Sequence, residues 1–130
     1  MEVIRIKPKH FPVPVAPFSY GIKVKGDSFL FIPNQIPIDS EGHIVGKGDI
    51  DAQATRVFEN IKAILAEVQS TFEDIVKMTW YLTTRENWQS VVKIRKQYFR
   101  EKWPAATFVL VEQLSHENIL IEVNAIIAIR

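Results

Sequence analysis

Glu122 is the residue whose type and setting best suit chemistry. It belongs to a run of alternating side chains over residues 118–129, in which Leu120 and Asn124 share its side of a strand. This setting is unusual for a carboxylate that is merely solvated at the surface. A carboxylate here could orient or deprotonate a water molecule. The alternative is a structural carboxylate that pairs with an amide or a basic group at an interface. The residues leave both interpretations open.

The other residue types that carry catalysis do not fall into known patterns. The chain has no cysteine, which excludes disulfides and thiolate metal sites. His10, His43 and His116 lie in three loop-like segments without the spacing of metal ligands, and we predict that they lie on the surface. The chain contains neither a glycine-rich phosphate loop nor a Gly-x-Ser-x-Gly nucleophile motif. We therefore expect no metal site.

Composition and charge narrow the class of protein. The 130 residues suit one domain, residues 1–130, and 47% hydrophobic with 24% charged residues is an ordinary globular balance. A formal net charge of +1 gives no electrostatic footprint for nucleic acid or for an anionic membrane. Because no apolar run could span a bilayer and the N-terminus lacks the order of a secretory signal, we expect a cytoplasmic protein.

The first part of the chain is predicted to form strands and loops. Gly26-Asp27 is a plausible two-residue hairpin turn between two strand-like runs. Four prolines predict an ordered extended arm over residues 8–18, because proline fixes the backbone and removes a donor. Residues 33–48 contain several glycines and prolines and are predicted to be a loop with turns. The predicted strands in this part are residues 1–7, 20–25 and 28–32.

Two segments later in the chain have the apolar spacing of helices. The first helix shows an apolar stripe from residue 54 to residue 68, with Asp49 or Asp51 as its cap. The second is predicted over about 87–101, with Asn87 as a possible cap. The remaining predicted features are Pro104, which ends the second helix, and strands over residues 75–83, 105–112 and 118–129.

The order of these elements predicts an α+β sandwich, with two helices on one face of a mixed sheet. Both faces of the last strand are largely apolar, with Ile121 and Val123 on one side and Leu120 and Ile126 on the other. Two helices can cover only one side of such a sheet, and the other side would leave apolar surface in water. We therefore infer that other copies of the chain cover it in a closed homo-oligomer.

Short segments in a fixed order carry a resemblance to a known family. Ala16-Pro17-Phe18-Ser19 resembles the motif Gly-Pro-Tyr-Ser, and residues 31–39 resemble Phe-Val-Ser-Gly-Gln-Ile-Pro-Leu-Asp. Further matching pieces lie at residues 42–46, 48–50, 60–65, 98–99, 104–105 and 122–126. Together they span almost the whole chain, which on these segments resembles the Rid family of reactive intermediate/imine deaminases, also called YjgF or L-PSP proteins.

The resemblance implies a chorismate-mutase-like α+β fold and a homotrimer with a small-molecule site in each cleft between subunits. Typical members hydrolyse imines and enamines such as 2-iminopropionate or 2-aminoacrylate to a keto acid and ammonia, with no metal or organic cofactor. Glu122 then occupies the acidic position of the family, where it would be the catalytic group that activates water for attack on an imine carbon. The implied trimer agrees with the two apolar faces of the last strand.

The substrate-binding positions implied by the resemblance depart from the family pattern. Ala106 stands where an arginine would bind the substrate carboxylate, a task that suits the paired donors of a guanidinium. Phe18 replaces a tyrosine, Pro33-Asn34 replaces Ser-Gly, and Val92 replaces an asparagine. Loss of the guanidinium predicts poor binding of 2-iminopropionate. The remaining substrate-binding candidates are Gln35, Ile36 and Thr107.

Another cation would have to replace the missing arginine. Arg95 lies on the otherwise apolar stripe of the second helix, near Val92. The favoured interpretation is nevertheless an arginine whose stem packs on the protein while its charged head stays in water. Arg85 and Arg56 have less to support them.

The favoured function is a divergent Rid-type deaminase, a hydrolase of C–N bonds that acts on an imine, an enamine or a related small metabolite other than 2-iminopropionate. The alternative is a non-catalytic trimer whose clefts bind a small, less anionic ligand. RNA cleavage or translation inhibition, which some family members have been assigned, is disfavoured by the near-neutral charge and the lack of a basic stripe.

Overall fold

The computed structural model of the protein describes residues 2–14 and 18–129. Residues 15–17, which belong to the predicted proline-rich arm, lie outside the described part. None of the helices formed by the described residues is long and apolar enough to cross a membrane. The strands are β1 (Glu2–Ile6), β2 (Gly21–Lys25), β3 (Ser28–Gln35), β4 (Ile75–Leu82), β5 (Ala105–Leu110) and β6 (Ile121–Ile129), and the helices are α1 (Ile50–Glu67) and α2 (Trp88–Tyr98).

A four-stranded mixed sheet confirms the predicted α+β class. Its strand order is β3-β6-β4-β5, in which β4 and β5 run parallel and the other neighbours run antiparallel. Helix α1 packs on β6 and β3, and α2 lies beside α1, with its Arg95 over the ring of Trp80 in β4. We call the side that carries both helices the helix face and the opposite side the outer face.

The alternation along β6 separates these two faces. Ile121, Val123 and Ala125 share one side of the strand, as predicted, and the structure buries them on the helix face, whereas Glu122 and Asn124 lie on the outer face. The strand begins at Ile121 and not at residue 118.

The connection between β2 and β3 differs from the prediction. Gly26-Asp27 does not close a hairpin, because β2 pairs along its length with β1 while β3 pairs with β6. Each strand therefore has a partner elsewhere that satisfies its backbone groups. The β1–β2 ribbon is attached near Trp103 instead, whose carbonyl oxygen accepts hydrogen bonds from Ser19 Oγ at 2.6 Å and from Arg5 Nε at 3.3 Å.

Strand β3 continues into the segment that was predicted to be loop. It runs to Gln35, and its register with β6 shifts between Ile32 and Gln35, as in a β-bulge. Pro33 is tolerated there because β3 is an edge strand of the sheet, where a missing backbone donor costs little. The bulge places Asn34 beside Glu122 of the neighbouring strand.

The ends of the helices correct two further predictions. Asn87 precedes α2, but its side chain makes no capping hydrogen bond. The helix ends at Tyr98, well before Pro104, because Phe99 takes an extended conformation with ψ of 132°. For α1 the cap is Asp49, whose side chain accepts a hydrogen bond from the amide of Ala52 at 3.1 Å.

Gln53 of α1 fixes the segment that leads into β6. Its side chain is fully buried, donates to the carbonyl oxygen of Asn118 at 2.8 Å and accepts from the amide of Leu120 at 2.8 Å. These bonds satisfy backbone groups of two half-buried residues that would otherwise lack partners. They hold the chain just before Glu122 and so help to position the candidate site.

The variant Gln53→Leu should lower the free energy of unfolding by about 1–3 kcal/mol, because it leaves two half-buried backbone groups, at Asn118 and Leu120, without their partners. Chemical denaturation of the wild-type protein and the variant measures this difference. Gln97→Leu, on the exposed side of α2, is the control and should change the free energy by less than about 0.5 kcal/mol. A loss for Gln53→Leu no larger than the control would contradict the bridging role.

Candidate functional site

Glu122 is nearly buried on the outer face, with 6% of its surface exposed. Its Oε1 accepts a hydrogen bond from Asn34 Nδ2 at 3.1 Å, and its Oε2 accepts from the amide and the hydroxyl of Ser115 at 2.9 and 2.7 Å. Donors that point at a carboxylate make strong, orienting bonds. Since two carboxylate oxygens offer about four acceptor positions, the group keeps capacity for a water molecule.

Asn34 belongs to this arrangement as a positioning group. Its Oδ1 accepts a hydrogen bond from Asn124 Nδ2 at 2.8 Å while its own amide donates to Glu122. A candidate ligand-binding residue is thus engaged in holding the carboxylate. We call Asn34, Ser115, Glu122 and Asn124 the outer-face cluster. No sequence pattern points to Ser115, because it lies in an irregular loop whose path the apolar periodicity does not define.

The other candidates near Asn34 are engaged within the chain. Gln35 Nε2 donates to the carbonyl oxygen of Pro33 at 3.0 Å, and the carbonyl oxygen of Ile36 accepts from Asn60 Nδ2 at 3.2 Å. These bonds shape the bulge and the loop after β3, which places Asn34 beside the carboxylate.

Ala106 lies on the opposite side of the sheet from Glu122. In the parallel register it pairs with Met78, and Phe108 pairs with Trp80. Met78 and Trp80 are buried on the helix face, so Ala106 and Phe108 point to that face as well. Val92 of α2 lies on this side too, 7% exposed within the hydrophobic core.

The implied site residues therefore fall into two groups that one chain does not bring together. Glu122 lies on the outer face of β6, whereas Ala106 lies on the helix face of β5, with β4 between the two strands. Because neighbouring strands are about 4.8 Å apart, the axes of β6 and β5, which lie on either side of β4, are separated by about 10 Å. A cleft that uses both residues would have to be completed by a second chain.

Thr107, the next residue of β5, points to the outer face. Its Oγ1 accepts a hydrogen bond at 2.7 Å from the ammonium group of Lys77 in β4. Partial burial lowers the pKa of Lys77 below its ordinary value. No sequence motif singles out this cation. The alternation of β4 nevertheless places Lys77 on the same face as Thr79 and Tyr81, and Tyr81 pairs with Glu122 across the sheet.

Arg95 contradicts the expectation that its head stays in water. The side chain is only 1% exposed, and its Cζ lies 5.2 Å from the centroid of the Trp80 ring. A planar guanidinium over an indole face gains a cation–π interaction that is stronger when both groups are desolvated. Burial lowers the pKa of Arg95 to about 10, so the group remains protonated at neutral pH.

Phe18 is half-buried and lies three residues before β2 begins at Gly21. Its ring meets Tyr20 edge-to-face at 5.4 Å, and the Tyr20 hydroxyl donates to the carbonyl oxygen of Pro12 at 2.9 Å. The aromatic hydroxyl near this position is therefore that of Tyr20 and not of residue 18, and it is bonded to the backbone at Pro12.

The histidines lie on the surface, as predicted; the His43 side chain, for example, is 73% exposed. Within residues 2–14 and 18–129 no group of three or more histidines and carboxylates could hold a metal ion.

Comparisons with known proteins agree with this architecture. The sequence profile of the family described as Endoribonuclease L-PSP matches residues 8–129. A RutC family protein of Pyrococcus abyssi is 43% identical over 115 residues, which are 88% of each chain. The structure of YyfB from Yersinia pestis, of the conserved Rid protein family, has a TM-score of 0.91 at 26% identity, covering 99% of this chain and 100% of that one.

A further solved structure extends the likeness. RidA from the Antarctic bacterium Psychrobacter has a TM-score of 0.71 at 28% identity, and the match covers 97% of this chain and 99% of that chain. The profile spans most of the chain, the relatives are similar over most of their length, and the mixed sheet with two helices is shared. The chain therefore belongs to the Rid family of L-PSP proteins.

Proposed function

We propose that this protein is a hydrolytic deaminase of a small imine, enamine or related aminated metabolite, acting in clefts between the subunits of a homotrimer. The observation that carries the proposal is the Glu122 carboxylate, nearly buried and fixed by Asn34 and Ser115. A carboxylate whose orientation is fixed, and which can still accept a hydrogen bond, is suited to act as a general base toward water.

The reaction needs one water molecule and one group that moves protons. Glu122 takes a proton from the water as the water oxygen bonds to the imine carbon, and it passes that proton to the imine nitrogen, which gives an amino alcohol. Glu122 then takes the hydroxyl proton of the amino alcohol as the carbon–oxygen double bond forms and the carbon–nitrogen bond breaks. It delivers this second proton to the departing nitrogen, so that the imine and water become a carbonyl compound and ammonia.

The substrate is proposed to differ from 2-iminopropionate. At the position of Ala106 a methyl group cannot make the paired, charge-assisted bonds that hold a carboxylate. A substrate bound less firmly is also positioned less accurately, which slows the chemical step as well as binding.

The trimer is supported by the surface of the outer face as well as by the two separated groups of site residues. Phe29 and Phe31 of the edge strand β3 are 44% and 69% exposed, and Phe31 pairs with Ile126 of β6. Exposed apolar groups on one sheet face favour contact with another copy. Such a contact could bring Glu122 of one subunit toward Ala106 of the next.

A second candidate is a binding trimer without catalysis. It is favoured by the engagement of Glu122 with Asn34 and Ser115, which is also what a structural carboxylate would show. RNA cleavage, the activity named in the family's description, has no support in the net charge of +1.

Freshly generated imines with short, branched and aromatic side chains test the proposal. The purified protein should release ammonia and keto acid from at least one of them well above the spontaneous rate, and 2-iminopropionate should be a poor substrate. Light scattering at micromolar concentration should give three times the 15.0 kDa mass of the chain. If the protein is a trimer and the bound compounds are recovered chemically unchanged, the non-catalytic binding trimer is favoured. If it is a monomer, the proposed cleft between subunits does not exist.

A further inference from the structure

We propose that Arg85 supplies the anion-binding charge of this site, in a depression between the start of α2 and strand β5. The inference rests on the proposed function, because it assigns the substrate class of the same site. The depression has a volume of about 460 Å³ and is lined by Arg85, Trp88, Gln89 and Phe108.

The depression opens on the same face of β5 as the position of the missing arginine. Phe108, which forms one of its walls, is two residues along β5 from Ala106, so both side chains point to the helix face. Residues two apart on a strand are separated by about 7 Å, so a ligand that extends past Phe108 along β5 would approach Ala106 from the helix side. The cation that binds the carboxylate is thus Arg85, in the turn before α2, and not an arginine at position 106 of β5.

The lining residues define the kind of ligand. Trp88 and Phe108 offer two aromatic surfaces, which favour a flat or branched apolar group. The guanidinium of Arg85 can form two parallel hydrogen bonds with a carboxylate, and the amide of Gln89 can donate or accept one more. Together they fit a small α-imino or α-keto acid whose side chain is aromatic or branched.

The backbone at Arg85 is held in place. It opens the short 3₁₀ turn Arg85–Asn87, whose first residues are capped by Thr84 Oγ1, which accepts from the amide of Glu86 at 3.4 Å. The carbonyl oxygen of Arg85 accepts a hydrogen bond from the amide of Trp88, the first residue of α2. The start of a helix carries partial positive charge, which adds to the attraction for an anion.

Two other cations lie nearby but are less suited to touch the ligand. Arg95 is 1% exposed and lies behind Trp80, whose ring packs against Phe108 with centroids 4.9 Å apart. Its charge can raise the positive potential of the wall without making contact. Lys77 lies on the outer face, where its ammonium group donates to Thr107. Arg85 is exposed at the depression itself.

Three probes separate the contributions of charge and ring: phenylpyruvate carries both, pyruvate lacks the ring, and phenylacetone lacks the carboxylate. Calorimetric titration of the natural protein should show tightest binding for phenylpyruvate. Arg85→Met should weaken phenylpyruvate by about 10-fold or more, the effect of losing a charge-assisted bond, and leave phenylacetone within about twofold. Lys96→Met, which removes an equal charge from an exposed position on α2, should change neither, and Arg85→Lys should restore part of the loss.

The proposal is overturned if Arg85→Met and Lys96→Met have equal effects, or if none of the probes binds at millimolar concentration. Equal unfolding midpoints of the variants show that folding is not the cause of a difference. Binding is measured without turnover, so the two proposals can fail separately. If the protein binds the probes charge-selectively but hydrolyses no imine, the deaminase function is wrong and the anion-binding role of Arg85 stands. If wild type and Arg85→Met hydrolyse aromatic imines with the same kcat/KM, the deaminase function stands and the role of Arg85 is wrong.

Discussion

Glu122→Gln should lower kcat/KM for imine hydrolysis by about 10²–10⁴-fold, the usual contribution of a general base. The amide has nearly the size of the carboxylate but cannot take a proton from water at neutral pH. The measurement is the initial rate of ammonia release with the best substrate of the imine panel. Glu112→Gln, an exposed position in the loop after β5, is the matched control and should leave the rate unchanged.

The same variant also reports on the hydrogen bonds around the carboxylate. The amide group of a glutamine would point its hydrogens toward either Asn34 Nδ2 or the amide of Ser115, each of which donates to Glu122 in the wild-type protein. One donor would then be left facing another donor, at a cost of about 1–3 kcal/mol in the free energy of unfolding. A variant that is destabilised but turns over normally would show a structural carboxylate, and the role in activating water would be wrong.

Ala106→Arg should raise the rate of 2-iminopropionate hydrolysis by at least about 10-fold, because a charge-assisted bond contributes about 1.5–3 kcal/mol. The gain arises from a guanidinium placed where the family binds the substrate carboxylate. Ala106→Met adds a side chain of similar reach without the charge and should give no gain. Because Arg95 is buried on the same face of the sheet, the arginine variant should also be less stable than the methionine variant.

The outcomes of this second experiment differ in meaning. If the natural protein already hydrolyses 2-iminopropionate well above the spontaneous rate, an arginine at position 106 is not needed and the proposed change of substrate is wrong. If only Ala106→Arg does so, the water-activating machinery is intact and the natural substrate is another imine. If neither does, the non-catalytic binding trimer becomes the better account of the fold.

Local patterns in the sequence determined the elements and their faces. The apolar spacing in α1 and the cap at Asp49, like the alternation that separates Ile121 from Glu122, depend on neighbours within a few residues. The resemblance to the Rid family rests on short segments in a fixed order along the chain, and the matching profile over residues 8–129 confirms it. Glu122 could be singled out because it is the carboxylate in a largely apolar strand and because it occupies the acidic position that the resemblance implies.

Only the tertiary structure decided which distant residues meet. Gly26-Asp27 has the composition of a hairpin turn, yet β3 pairs with β6, because strand pairing is a competition among all available partners. The stripe of α2 could not show that Arg95 lies over Trp80, nor could the loop before β6 show that Ser115 donates to Glu122. Period and capping act over a few residues, whereas contacts across the sheet depend on strand order, which no local pattern encodes.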